Sequence, residues 1–101
     1  MTEKAVAGAL GLAQKAGKAV SGDLGVKEAL TGRKAKLLVI ADDVSPRTEK
    51  ELKFLAEKAS IPVVTCMSRA ALGLCIGKAP RAAVAVLDAG LAGLIVKKMS
   101  V

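Results

Sequence analysis

The chain predicts an α/β protein: a three-layer α/β/α sandwich with a central mixed sheet of about four strands, folded as one domain over residues 1–101. Three observations carry this. Helical apolar periodicity alternates with short continuous apolar runs in the order αβαβαβαβα. The runs "KLLVIA" and "AAVAVLD" have the composition of strands buried on both faces. Hydrophobic residues make up 52% of the 101, yet only Phe54 is aromatic, so the core must be Ala, Val, Leu and Ile. Such small side chains suit helices packed closely on a sheet.

Each element has a local reason. The first helix runs from Thr2 to Ala16, with Val6, Leu10 and Ala13 at helical spacing and Gly17 as its stop. "KAV" (Lys18 to Val20) reads as a short strand. A helix from Leu24 to Thr31 is closed by Gly32. "KLLVIA" (Lys36 to Ala41) is the clearest strand. In "SPRTEKELKFLAEKAS", Ser45 is the N-cap, Pro46 takes the first helical position, and Leu52, Leu55 and Ala56 share a face. "PVVTC" (Pro62 to Cys66) is a strand opened by Pro62, where the missing N–H is tolerated. "SRAALGLCIG" is a short helix capped by Ser68. "AAVAVLD" (Ala82 to Asp88) is the last strand. "AGLAGLIVKKM" is a closing helix whose last turn carries Lys97 and Lys98, a sign of charge suited to the dipole there.

Composition narrows the function. Sixteen Lys and Arg against nine Asp and Glu give a net charge of +7. A small basic protein points to a polyanion, most often nucleic acid. The near absence of aromatics argues against stacking platforms for bases. Cys66 and Cys75, with no histidine in the chain, are too few for a structural zinc site; both lie in apolar stretches and read as small buried hydrophobes of a reducing, cytoplasmic setting. Lys4 and Lys15 break the apolar run of the N-terminus, so no signal peptide is read there. No run reaches transmembrane length.

Catalysis finds no footing. Asp42 and Asp43 end the clearest strand, where paired acids could hold Mg²⁺ as in phosphoacceptor receiver domains. That chemistry needs its acid pair near the chain start, then a further Asp on a later strand, then a Lys. Here the next strand ends in "TCMS", and Asp88 has no Lys beyond it until Lys97. The two acids read instead as the turn before the Ser45–Pro46 helix start. No histidine is present to activate Ser or Cys, and the glycines form neither a GxGxxG nor a Walker loop. The expectation is a protein with no enzymatic activity, no cofactor and no metal.

The cations gather in two places. Lys15, Lys18, Lys27, Arg33, Lys34 and Lys36 flank "SGDLGVKEAL", the second helix. Lys78 and Arg81 lie in "IGKAPRAA", a loop between helix and strand. The helix start is unusual, because Gly22 and Gly25 surround its first turn and Gly25 costs a helix about 1 kcal/mol against Ala. Either the backbone bends there for its own reasons, or a ligand comes close. Free N–H groups and the helix dipole favour an anion at such a start, and glycine permits close approach. Asp23 is either a helix cap or part of the contact.

"GLAQKAGKAVSGDLGVKEALTGRKAKLLVIADDVSP", then "IPVV" and "LGLCIGKAPRAAVAVLD", resemble the L7Ae/L30e ribosomal protein family, and within it the small bacterial YlxQ-type members. The similarity spans Leu10 to Ile95. The resemblance implies an α/β/α sandwich and RNA binding without catalysis. It implies a grip on kink-turns, sharply bent duplexes with sheared G·A pairs, through the N-terminus of the second helix and the loop before the last strand. The family glycine that opens this helix matches Gly22, and the loop against flipped-out bases matches Ile76, Gly77, Lys78, Ala79, Pro80 and Arg81. Kink-turn binders typically carry Asn-Glu where this chain has Leu24 and Gly25, and Lys where it has Glu28, beside Lys27. Leu24 and Gly25 offer no side-chain hydrogen bond to a base edge, which weakens direct readout.

The site expected from these readings has three parts. Gly22, Asp23 and Gly25 allow close backbone approach, with Leu24 among them at the interface. Lys18, Lys27, Lys34, Lys36, Lys78 and Arg81 neutralise phosphates. Ile76 and Pro80, with Gly77 and Ala79, meet a splayed base. The expected partner is structured RNA, ribosomal or kink-turn-like, bound by a monomer with no membrane involvement. The alternative is a protein-interaction or ribosome-assembly module on the same fold.

Overall fold

The computed structural model describes residues 2–99. Met1, Ser100 and Val101, which the sequence assigns to the same domain, lie outside the described residues. Helices and strands alternate as expected: α1 (Thr2–Lys15), β1 (Ala19–Ser21), α2 (Asp23–Thr31), β2 (Leu37–Ile40), α3 (Pro46–Lys58), β3 (Val63–Thr65), α4 (Arg69–Cys75), β4 (Ala83–Val86) and α5 (Ala89–Met99). The strands form one sheet in the order β1-β4-β2-β3. β4 is antiparallel to both its neighbours and β2 is parallel to β3, so the sheet is mixed.

The two middle strands are buried throughout. Alternation sends Leu37, Val39, Val84 and Val86 to a core under α1, α4 and α5. Leu38, Ile40, Ala83 and Ala85 go to a second core under α2 and α3. Continuous apolar runs are thus explained by burial on both faces. Helix starts follow the sequence signals as well. Ser45 Oγ accepts from Thr48 N–H at 3.1 Å, and Ser68 Oγ from Ala71 N–H at 3.1 Å. Among the described residues, no helix is long and apolar enough to cross a membrane.

Strand direction creates two unlike ends. β1 and β2 both start beside the end of β4: Leu87 N–H donates to the Lys18 carbonyl at 2.8 Å, and Lys36 N–H to the Val86 carbonyl at 2.7 Å. This is the lysine end. The opposite, loop end collects Gly22 after β1, the exits of β2 and β3, and the loop that enters β4. Between the register rows Leu37↔Val86 and Ile40↔Ala83 the sheet spans about 10 Å.

Two features make stability predictions. Arg33 follows α2 in a left-handed conformation, φ 58°, with its N–H bonded to the Leu30 carbonyl and that of Lys34 to the Ala29 carbonyl. Glycine is the usual residue at that position of a helix end. A side chain there costs about 1–2 kcal/mol, and glycine gives back about 0.4–1 kcal/mol through the freer unfolded chain. Arg33→Gly should therefore raise stability by about 0.5–1 kcal/mol, read as a higher midpoint in thermal or urea melts.

Cys66 and Cys75 are free thiols, and burial pushes both above the ordinary value of 9.0. A folded state that holds those protons longer binds more protons than the unfolded chain, so the stability they contribute is complete below about pH 9 and declines as pH rises through the folded values. Urea midpoints measured from neutral pH to about pH 10 should show this decline, and Cys66→Ala should flatten part of it.

Candidate nucleic-acid interface

The start of α2 is built by one backbone conformation. Gly22 turns out of β1 with φ 89° and ψ 149°, a region closed to residues bearing a Cβ. Its carbonyl accepts from Val26 N–H at 3.0 Å, but no side chain caps the helix. The starts of α3, α4 and α5 each have an acceptor side chain, from Ser45, Ser68 and Asp88. The N–H groups of Asp23, Leu24 and Gly25 have no intrahelical partner and open toward the loop end. Asp23 is not the cap. Its carboxylate lies in the first turn, exposed, with Lys27 Nζ at 3.4 Å. Gly25 has an internal reason, since a Cβ there would lie 2.8 Å from Val20 Cγ1. Its absence lets α2 sit down on the edge strand.

The loop before β4 is held from inside. Gly77, φ 69°, turns the chain out of α4, with Gly77 N–H bonded to the Leu74 carbonyl and Lys78 N–H to the Gly73 carbonyl. The loop then folds back so closely that a Cβ on Gly73 would fall on the Ala79 carbonyl. Arg81 N–H donates to the Arg69 carbonyl at 3.1 Å. The Arg81 guanidinium donates through Nε to Ser21 Oγ at 3.1 Å and through Nη1 to the Ala79 and Pro80 carbonyls at 3.2 and 3.3 Å. Gly77, Lys78, Ala79 and Pro80 are left exposed on this frame.

Arg81 therefore joins the two regions that the sequence could only name separately, because Ser21 is the residue before Gly22. A second brace continues the line: Arg69 N–H donates to Asp43 Oδ1 at 2.8 Å, and Arg69 Nε lies 3.4 Å from the same oxygen. Asp43 thus acts across the loop end as a partner to the start of α4.

Other expected members of the site are elsewhere. Ile76 is 4% exposed and belongs to the core with Leu72 and Ile95. It anchors the end of α4 and cannot meet a base as placed; Leu24, in the first turn of α2, is 71% exposed. Lys27 Nζ is 2.7 Å from Glu51 Oε1, and hydrogen bonding to Glu51 and then to Asp23 raises its ammonium above its ordinary value. Its charge is shared with two acids before any ligand arrives. Lys18, Lys34 and Lys36 sit at the lysine end, because β1 and β2 begin there. Of the cations named from sequence, Arg81 is tied to Ser21 beside the open start of α2, and Lys78 lies in the same loop, with its N–H on the end of α4. Ser21, Arg69 and Gly73 were missed. Gly73 was visible in "ALGLCIG", but its reason is the spatial return of Ala79.

The fold and the braced loop define an L30e-like α/β/α domain. Residues 4–96 match the ribosomal protein L7Ae/L30e/S12e/Gadd45 family, and the chain belongs to it. The chain is 42% identical to the RNA-binding protein YlxQ of Bacillus subtilis over 88 residues, 86% of this chain and 87% of that one. It is 36% identical to the large ribosomal subunit protein eL8 of Picrophilus torridus over 89 residues, 87% of this chain and 70% of the other. Among solved structures, a Bacillus halodurans protein of unknown function superposes with a TM-score of 0.90 at 28% identity, covering 95% of this chain and 97% of that chain. The 15.5 kD RNA-binding protein of Giardia lamblia has a TM-score of 0.82 at 18% identity, covering 98% of this chain and 85% of its own, and shares the fold.

Gly73→Ala should act through the loop alone. Forcing Ala79 away should cost about 1–3 kcal/mol and speed amide exchange at Lys78 and Arg81, whose N–H groups bond to Gly73 and Arg69. Unchanged exchange at both amides would contradict the role given to this contact.

Proposed function

We propose that this chain is a non-catalytic RNA-binding protein that recognises bent, kink-turn-like RNA, acting as a cytoplasmic monomer in association with the ribosome. The observation that carries this is the uncapped start of α2 beside the loop braced by Arg81. Unpaired N–H groups at a helix start favour a phosphate, and a loop fixed before binding loses little entropy on contact. Lys78 supplies a cation with no ion pair among the described residues. Leu24 and Pro80 supply apolar surface for a splayed base. The names of YlxQ, of eL8 and of the Giardia protein describe RNA-binding and ribosomal proteins, which supports the same reading.

Leu24 and Gly25 shape the mode of recognition. Neither side chain can pair with a sheared G·A edge, so selectivity rests on backbone shape and phosphate position. A second reading, a protein-interaction module, is favoured by a groove of about 590 Å³ between α1 and α4 that includes Ala7, Met67, Ala71 and Leu74, the last 78% exposed.

Gel-shift titration of a kink-turn RNA against a straight duplex of equal length, at two salt concentrations, separates these. The bent RNA should bind more tightly, and affinity should fall by orders of magnitude between about 50 and 200 mM salt. Lys78→Ala should weaken binding and lower the salt slope by about 1. Equal affinity for both RNAs would remove the preference for bent RNA, and no binding at low salt would leave the protein-interaction reading.

A further inference from the structure

Cations stand at both ends of the sheet. At the loop end Lys27 and Arg69 are ion-paired and Arg81 is hydrogen-bonded inward; Arg47, Lys50 and Lys78 have no ion pair among the described residues, but Asp23, Asp42, Asp43, Glu49 and Glu51 stand among them. At the lysine end Lys15, Lys18, Arg33, Lys34, Lys36 and Lys58 are all exposed, and none has an ion pair among the described residues. Lys58 lies over the Phe54 ring at 5.6 Å, which leaves its charge intact. Arg33 and Lys58 line one depression. Lys34 lines the next, a shallow groove of about 420 Å³ between α2 and β1. Lys18 and Lys36 bracket the end of β4, two strand spacings or about 10 Å apart. The acids at this end are Glu28, Glu57 and Asp88; Glu28 lines the groove with Lys34 without pairing, and Asp88 is occupied by Leu91 N–H.

Helix dipoles account for part of this, because Lys15, Arg33, Lys34 and Lys58 sit at the C-terminal ends of α1, α2 and α3. They do not account for Lys18 and Lys36, which precede strands. Lysine is depleted at the centres of protein interfaces, whereas phosphates recruit it. Single-stranded nucleic acid calls for aromatic stacking surfaces, and Phe54 is the chain's one aromatic residue.

We propose that the lysine end is a second RNA contact, one that holds the phosphate backbone of a duplex and reads no base. It is separate from the loop end, so an RNA bent at one end of the sheet could run its arm along the other, or two RNAs could be held at once.

The test is binding of a plain, blunt RNA duplex as a function of salt. One variant combines Lys18→Gln, Arg33→Gly, Lys34→Gln and Lys36→Gln; another replaces the same three lysines with Arg. Thermal melts establish that both are folded. The neutralised variant should lose at least about tenfold in duplex affinity at low salt, with a log–log salt slope lower by about 1 per phosphate contact removed. The Arg variant should keep both. Unchanged affinity and slope in the neutralised variant would overturn the proposal. So would wild-type protein that ignores the duplex, including the case in which it sediments with phosphatidylserine vesicles instead. A failed preference for bent RNA at the loop end leaves this result standing, since it is read as the difference between the neutralised and wild-type proteins on the duplex alone.

Discussion

Two strands buried on both faces and running in opposite directions, β2 and β4, decide where everything else lies. Their eight side chains feed both cores, Leu37, Val39, Val84 and Val86 to one and Leu38, Ile40, Ala83 and Ala85 to the other. Because β1 is also antiparallel to β4, the chain enters β1 and β2 at one edge of the sheet and enters β4 at the other. Helices that follow β1, β2 and β3 must then begin at the loop end, whereas α5, which follows β4, begins at the lysine end. That is why the starts of α2, α3 and α4 share an end with the loop that enters β4, and why Lys18 and Lys36, which precede β1 and β2, are carried away from it.

The fold was legible in the residues because its signals are local. Ser45 before Pro46, Ser68 before a short apolar helix and the unbroken runs at Leu37 and Ala83 act on their own neighbours. Element ends shifted by a residue or two, as at Asp23, which the sequence set outside the helix and the structure sets in its first turn. Family likeness carried the rest, down to the part of the chain in which the loop lies.

The site was legible only in part, since its decisive terms are contacts between residues far apart in sequence. Lys27 reads as a free cation until Glu51 is found beside it on α3. Ile76 reads as a loop residue until α4 is seen to end on it. Arg81 reads as a phosphate ligand; the structure adds that its Nε and Nη1 hold Ser21, sixty positions earlier, and two loop carbonyls. Gly25 and Gly73 read as backbone freedom; what each supplies is room, for Val20 in one case and for Ala79 in the other.

The sheet has a further property at its margins. Both edge strands, β1 and β3, are three residues long, with Lys18 before one and Pro62 before the other. An edge offers unpaired N–H and C=O groups as a template for another chain, and natural edges blunt it by shortness, lysine and proline. A chain whose core is mostly Ala, Val, Leu and Ile is rich in the segments that aggregate when exposed. Here those segments, β2 and β4, are the two that have neighbours on both sides. The sticky strands are at the centre and the poor templates are outside, which guards against aggregation in a protein that has little aromatic bulk with which to lock its core.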